Sequence, residues 1–71
     1  MPKLPTLTPK QIIKILKAHG FELDHTTGSH FIFRHPVFQR RVTVPYHTED
    51  LPRGTLLSIL EQAGISKEDL K

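Results

Sequence analysis

Five histidines stand at positions 19, 25, 30, 35 and 47 of a chain that has no cysteine. Histidine is the side chain whose ordinary pKa, ~6.5, lets it give or take a proton near neutral pH, and its neutral ring is a common metal ligand. Catalytic zinc wants three close ligands, typically at short spacings such as i, i+4 on a helix. His25, His30 and His35 recur every five residues instead. On strands an odd spacing sends neighbours to opposite faces, with turns between them, so no metal site is expected. The lack of cysteine excludes disulfides, thiolate catalysis and cysteine-based zinc. Proton transfer, contact with an anion, or a structural role remain for the histidines. His30 has the most suggestive setting, because it follows Gly28 and Ser29. There a small side chain and free backbone N–H groups let a phosphate approach. The plainer reading is a surface histidine at a strand start. His47 lies in a loop, as a second proton donor or, more simply, as a cap for the helix that follows. His19, His25 and His35 read as structural: the end of a helix stripe, a sheet edge and a turn.

The elements that position these residues must be few. Seventy-one residues make one domain (1–71, with 1–7 as an extended arm), too small for a deep cavity or a large cofactor site. Any chemistry therefore sits on an open face and serves a ligand that brings its own size, such as a polymer. Composition is that of a folded globule, 37% hydrophobic and 24% charged, without repeats or low-complexity stretches. No apolar run approaches the ~18 residues of a membrane span and no leader is visible, so a cytoplasmic location without membrane contact is expected. The net charge is +3, unevenly spread: residues 1–47 carry seven lysines and arginines against two acids, and residues 48–71 carry three against five. A basic front half suits a polyanion, although a solvated lysine face gives the same pattern.

Thr8-Pro9-Lys10-Gln11 announces a helix, with Thr8 as N-cap, Pro9 at N1 and Gln11 completing a capping box. Leu7 and Ile12 are placed for a hydrophobic staple. Ile12, Ile15, Leu16 and His19 form one stripe, Gly20 stops the helix, and Lys10, Lys14 and Lys17 line its other side. Three strands are expected next. Phe21–His25 has Phe21, Leu23 and His25 inward and is followed by a turn at Thr26-Thr27-Gly28. His30–Arg34 has Phe31 and Phe33 inward, and Arg40–Val44 has Val42 and Val44 inward. His35-Pro36-Val37-Phe38 connects the last two. This parity puts His30, Ile32 and Arg34 on the other face with Arg41 and Thr43, an open and basic surface. A second helix from about Pro52–Thr55 to Ala63 buries Leu56, Leu57, Ile59, Leu60 and Ala63. Gly64 ends it, and Ser66-Lys67-Glu68-Asp69 starts a last turn that returns Leu70 to the core. The fold class is α+β, order α-β-β-β-α, with two helices packed on one face of a three-stranded antiparallel sheet. That is the arrangement of the double-stranded-RNA-binding domain.

Several strings then fall in one order at close spacing: Gly20-Phe21, Gly28-Ser29-His30, Val44-Pro45-Tyr46-His47, Gly54-Thr55-Leu56 through Ile59-Leu60, and Gln62-Ala63-Gly64-Ile65-Ser66. Together they resemble the HicA (YcfA-like) toxin family over nearly the whole chain. The resemblance implies the toxin of a bacterial toxin–antitoxin pair, an endoribonuclease that cleaves mRNA without a metal or other cofactor. It implies His30, the histidine of the Gly-Ser-His motif, as the catalytic residue, and a HicB-like antitoxin covering the active surface. Members often carry an arginine five residues before that histidine, where this chain has His25.

Metal-free cleavage of RNA needs a base for the 2′-OH, an acid for the leaving oxygen and cations for the charge on phosphorus. His30 suits either proton task. Arg34 and Arg41 are placed to hold phosphate, and Gly28 and Ser29 to admit it. Lys10, Lys14 and Lys17 are candidates to grip the RNA backbone, as the first helix does in the related RNA-binding fold, or are a solvated face. Ile32, apolar on the open face, marks a place for a partner protein. Two alternatives use the same fold without catalysis: a module that only binds RNA, and an interaction module that acts only through its antitoxin partner.

Overall fold

The computed structural model describes residues 6–47 and 49–70, apart from the side chain of Leu70. Most of the expected N-terminal arm, Thr48 of the loop and the packing of Leu70 lie outside the described residues. Helix α1 (Pro9–Ala18) is followed by strands β1 (Glu22–Thr27), β2 (His30–Arg34) and β3 (Arg41–Pro45), helix α2 (Arg53–Ala63) and a 3-10 turn (Lys67–Leu70). The sheet is antiparallel in the order β1-β2-β3. The fold is α+β in the order read from the sequence.

α1 starts where its capping signals place it. The Thr8 hydroxyl accepts from the Gln11 backbone N–H at 3.3 Å, and the Gln11 side-chain carbonyl accepts from the Thr8 N–H at 2.9 Å. Ile12 and Leu16 are fully buried, while Lys10, Lys14 and Lys17 are all exposed. Gly20, at φ 92°, ends the helix in the left-handed region. The Phe21 N–H then reaches the Leu16 carbonyl, and the Gly20 N–H the Lys17 carbonyl. His19 does not complete the buried stripe. It occupies the C-cap with ψ 10°, where the backbone leaves the helical path, and its side chain is exposed.

The core forms where α1 and α2 cover the face of the sheet that carries Phe33, Val42 and Val44. Both helices pack mainly against β3, and every residue of β1 is exposed. Leu23 keeps the expected inner face, opposite Phe33, yet is 46% exposed on this edge strand. On α2, Leu56, Ile59, Leu60 and Ala63 are buried. Leu57 is not; at roughly 100° per residue it falls at the margin of that stripe and is 37% exposed. Gln62 protects the outer edge of β3 instead. Its carbonyl accepts from the Thr43 N–H at 3.3 Å, and its amide donates to the Ser58 hydroxyl at 3.1 Å.

β1 runs through Thr26 and Thr27, so the turn contracts to Gly28 and Ser29, with Gly28 at φ 56°. β3 spans Arg41–Pro45, one residue later than the spacing predicts. His35 is more than a turn residue. Only 8% exposed, it accepts at Nδ1 from the backbone N–H groups of Val37 and Phe38, both at 3.1 Å. Its Nε2–H donates to the His19 carbonyl at 3.2 Å, which ties the end of α1 to the β2–β3 connection.

Candidate active face

Register fixes what shares the open face with His30. Antiparallel partners point to the same side of a sheet, so the face reads as three rows across β1, β2 and β3. Thr27, His30 and Pro45 form the first, His25, Ile32 and Thr43 the second, and Glu22, Arg34 and Arg41 the third. His30 is exposed, as are Arg34, Arg41 and Thr43, while Ile32 is half-buried. The Tyr46 N–H donates to the Ser29 carbonyl at 2.7 Å and the Tyr46 ring stacks on Phe31, which ties the end of β3 to the turn before His30. A Cβ at Gly28 would meet nothing within 4 Å, so this glycine answers a backbone need and the space beside it is open.

His25 sits on this face rather than inward. The ladder slips between Leu23 and His25, leaving Asp24 as the extra residue of a β-bulge. Without the bulge, Leu23 and His25 would share a face; with it, Leu23 turns toward the core side and His25 outward. The two-residue turn also reverses the parity rule along the chain, so His25 and His30 fall on the same face although they are five residues apart. His35 lies on the core side.

The bulge brings in an acid as well. Asp24 Oδ2 accepts a hydrogen bond from His25 Nδ1 at 2.7 Å. That N–H holds the Asp24 carboxyl below its ordinary value; partial desolvation opposes the shift, and the charges of His25, Arg41 and Arg34 add to it. The open face thus sets Arg34 and Arg41 against Glu22 and Asp24, and is less basic than strand parity alone predicts. A shallow cleft runs between Glu22, Leu23, Asp24, Arg34 and Pro36. Lys10, Lys14 and Lys17 point away from the sheet on the far side of α1, and Arg40 donates to the Gln62 carbonyl at 3.4 Å, at the C-terminal end of α2.

The predicted site residues therefore divide. Gly28, Ser29, His30, Arg34 and Arg41 share one face and its rim, His47 is exposed on the loop leaving β3, and the three lysines are on the opposite side of the molecule. The Asp24–His25 pair is the feature the sequence reading missed. Among the described residues, no three His, Asp or Glu side chains cluster closely enough to hold a metal ion, and no helix is long and apolar enough to cross a membrane.

A family model described as the HicA toxin of bacterial toxin–antitoxin systems matches residues 9–65, from the first residue of α1 to the last core residue after α2. The chain belongs to the HicA toxin family. No curated protein matches it. As a HicA toxin it is the toxin component of a toxin–antitoxin pair, and the match spans the whole open face, including the Gly28-Ser29-His30 turn and both arginines.

Proposed function

We propose that this HicA toxin is a metal-independent endoribonuclease of the cytoplasm that cleaves mRNA, with His30 as catalytic acid or base, and that a HicB-like antitoxin silences it by covering the open face. The observation that carries the reading is the setting of His30. In a chain of the HicA family it is exposed on the uncovered side of the sheet, next to an open glycine turn and on the same face as two arginines.

The reaction would be in-line attack of the RNA 2′-oxygen on the adjacent phosphorus. A base takes the 2′-OH proton as the new P–O bond forms, and an acid protonates the 5′-oxygen as its bond to phosphorus breaks. A 2′,3′-cyclic phosphate and a 5′-hydroxyl result. His30 carries one of these protons, and His25 on the same face or His47 on the nearby loop carries the other. The Gly28 and Ser29 backbone lies closest to the scissile phosphate. Arg34 is four residues along β2 from His30, roughly 13 Å at strand rise, so Arg34 and Arg41 hold a neighbouring phosphate of the same strand. Lys10, Lys14 and Lys17 face the wrong way for that segment and contact RNA only where it wraps to the other side. Ile32 gives the antitoxin an apolar contact in the middle of the face.

Induction of the wild type and of His30→Ala in bacteria tests the reading. Growth arrest with loss of intact mRNA for the wild type, and neither for the folded variant, is the expected result. Equal arrest by both, or no loss of mRNA with the wild type, would overturn it.

A further inference from the structure

Two proton transfers need two groups, and the open face holds two histidines in different circumstances. Building on the ribonuclease reading above, we propose that His25, oriented by Asp24, is the general base that takes the 2′-OH proton, and that His30 is the acid that protonates the leaving 5′-oxygen.

The geometry of the pair carries the assignment. An ionised carboxylate can only accept a hydrogen bond, so the 2.7 Å contact with Asp24 Oδ2 requires the proton on His25 Nδ1. The neutral ring then presents the lone pair of Nε2 as an acceptor. Asp24 is ionised in this setting, because its carboxyl is held below the ordinary value by that same N–H and by the nearby arginines. The imidazolium that forms on proton abstraction stays against a carboxylate, which is how an acid–histidine pair favours the base role. His25 is 52% exposed, so a ligand on the face can reach it.

Position agrees with orientation. His25 pairs with Ile32 and His30 with Thr27, which makes His25 and His30 diagonal neighbours, roughly 7–8 Å apart. In-line displacement puts the attacking and leaving oxygens on opposite sides of phosphorus, so base and acid must be separated by the width of a phosphate and two hydrogen bonds. A diagonal pair supplies that separation. The other charged groups on the same face are Glu22 on β1, Arg34 on β2 and Arg41 on β3. Asp24 touches no substrate in this scheme and is a positioning residue. The bulge is what makes the arrangement possible, since it turns Asp24 and His25 out together.

The test uses the full chain with two substrates: an RNA oligonucleotide, and the same oligonucleotide with sulfur in place of the scissile 5′-oxygen, a leaving group that departs without a proton. His25→Ala and His25→Gln are expected to slow cleavage of both about 10²–10⁴-fold. His30→Ala is expected to be slow on the oxygen substrate and largely restored on the sulfur one. Asp24→Asn is expected to lower kcat less than loss of His25 does, with KM unchanged, and to add nothing once His25 is replaced. Wild-type rates for both folded His25 variants would overturn the proposal and leave the ribonuclease reading standing. Rescue of the His25 variants rather than His30→Ala by sulfur would reverse the two roles and overturn it too. A wild-type chain that cuts no RNA would remove the ribonuclease reading, and this assignment with it.

Discussion

Gly20 stands directly against His35: a Cβ built on the glycine would lie 2.8 Å from His35 Nε2, closer than any such contact can be. The ring has little room to retreat, because its other nitrogen is bound by two backbone N–H groups and it packs edge-to-face with Phe21 and at a tilt on Phe38. Gly20 also has φ 92°, where a side chain is strained in its own right. Gly20→Ala is therefore expected to destabilise by about 2–4 kcal/mol. Gly28→Ala shares only the backbone strain, with open space around it, and is expected to cost about 1–2 kcal/mol. Urea midpoints of the two variants check the order.

His35 itself is expected to matter more for folding than any other histidine. Replacing it with alanine strands the Val37 and Phe38 N–H groups and the His19 carbonyl, and opens a gap beside Phe21. A loss of about 2–4 kcal/mol is expected by chemical denaturation. His30→Ala, at an exposed position, is expected to change stability by less than about 0.5 kcal/mol.

The Asp24 carboxyl gives one pH dependence with a definite sign. Its value is lower in the folded chain than in the unfolded one, first through the His25 N–H. Its contribution to stability is therefore present above about pH 4 and lost as the pH falls through the folded value. Asp24→Asn is expected to flatten the stability profile in that acid window, as read by urea midpoints at a series of pH values. A steeper acid loss in the variant would contradict the sign.

RNA binding should report on the two basic surfaces separately. The double variant Arg34→Ala/Arg41→Ala is expected to lower the salt slope of single-strand affinity by about 0.7, the loss of one phosphate contact. A Lys10/Lys14/Lys17 triple alanine variant is expected to leave the slope on short oligonucleotides unchanged, because those side chains face away from the sheet. Binding titrations at several salt concentrations distinguish the two sets.

Local signals made the helices legible. The Thr8–Gln11 capping box, the glycine stops at 20 and 64, and the Ile12–Leu16 spacing all hold in the structure. Alternation gave the inner faces of β2 and β3, and with them the exposure of His30. It misled on β1, where Phe21-Leu23-His25 reads as one uninterrupted inward series. The bulge at Asp24 depends on how β1 registers against β2, and that register follows from the turn at Gly28–Ser29, so no local pattern announces it. The buried role of His35 was hidden for a similar reason. It comes from the close approach of Gly20, which is fifteen residues away in the chain and adjacent only once the fold has formed.

The central claim is cleavage by the RNA's own 2′-oxygen on the His30 face. The most direct measurement is the end-group chemistry of products from an RNA oligonucleotide incubated with the purified chain in excess chelator. A 2′,3′-cyclic phosphate and a 5′-hydroxyl, absent with His30→Ala and absent when the nucleotide 5′ of the cut is 2′-deoxy, are the predicted result. A 5′-phosphate product, or cleavage that survives 2′-deoxy substitution, would contradict the account.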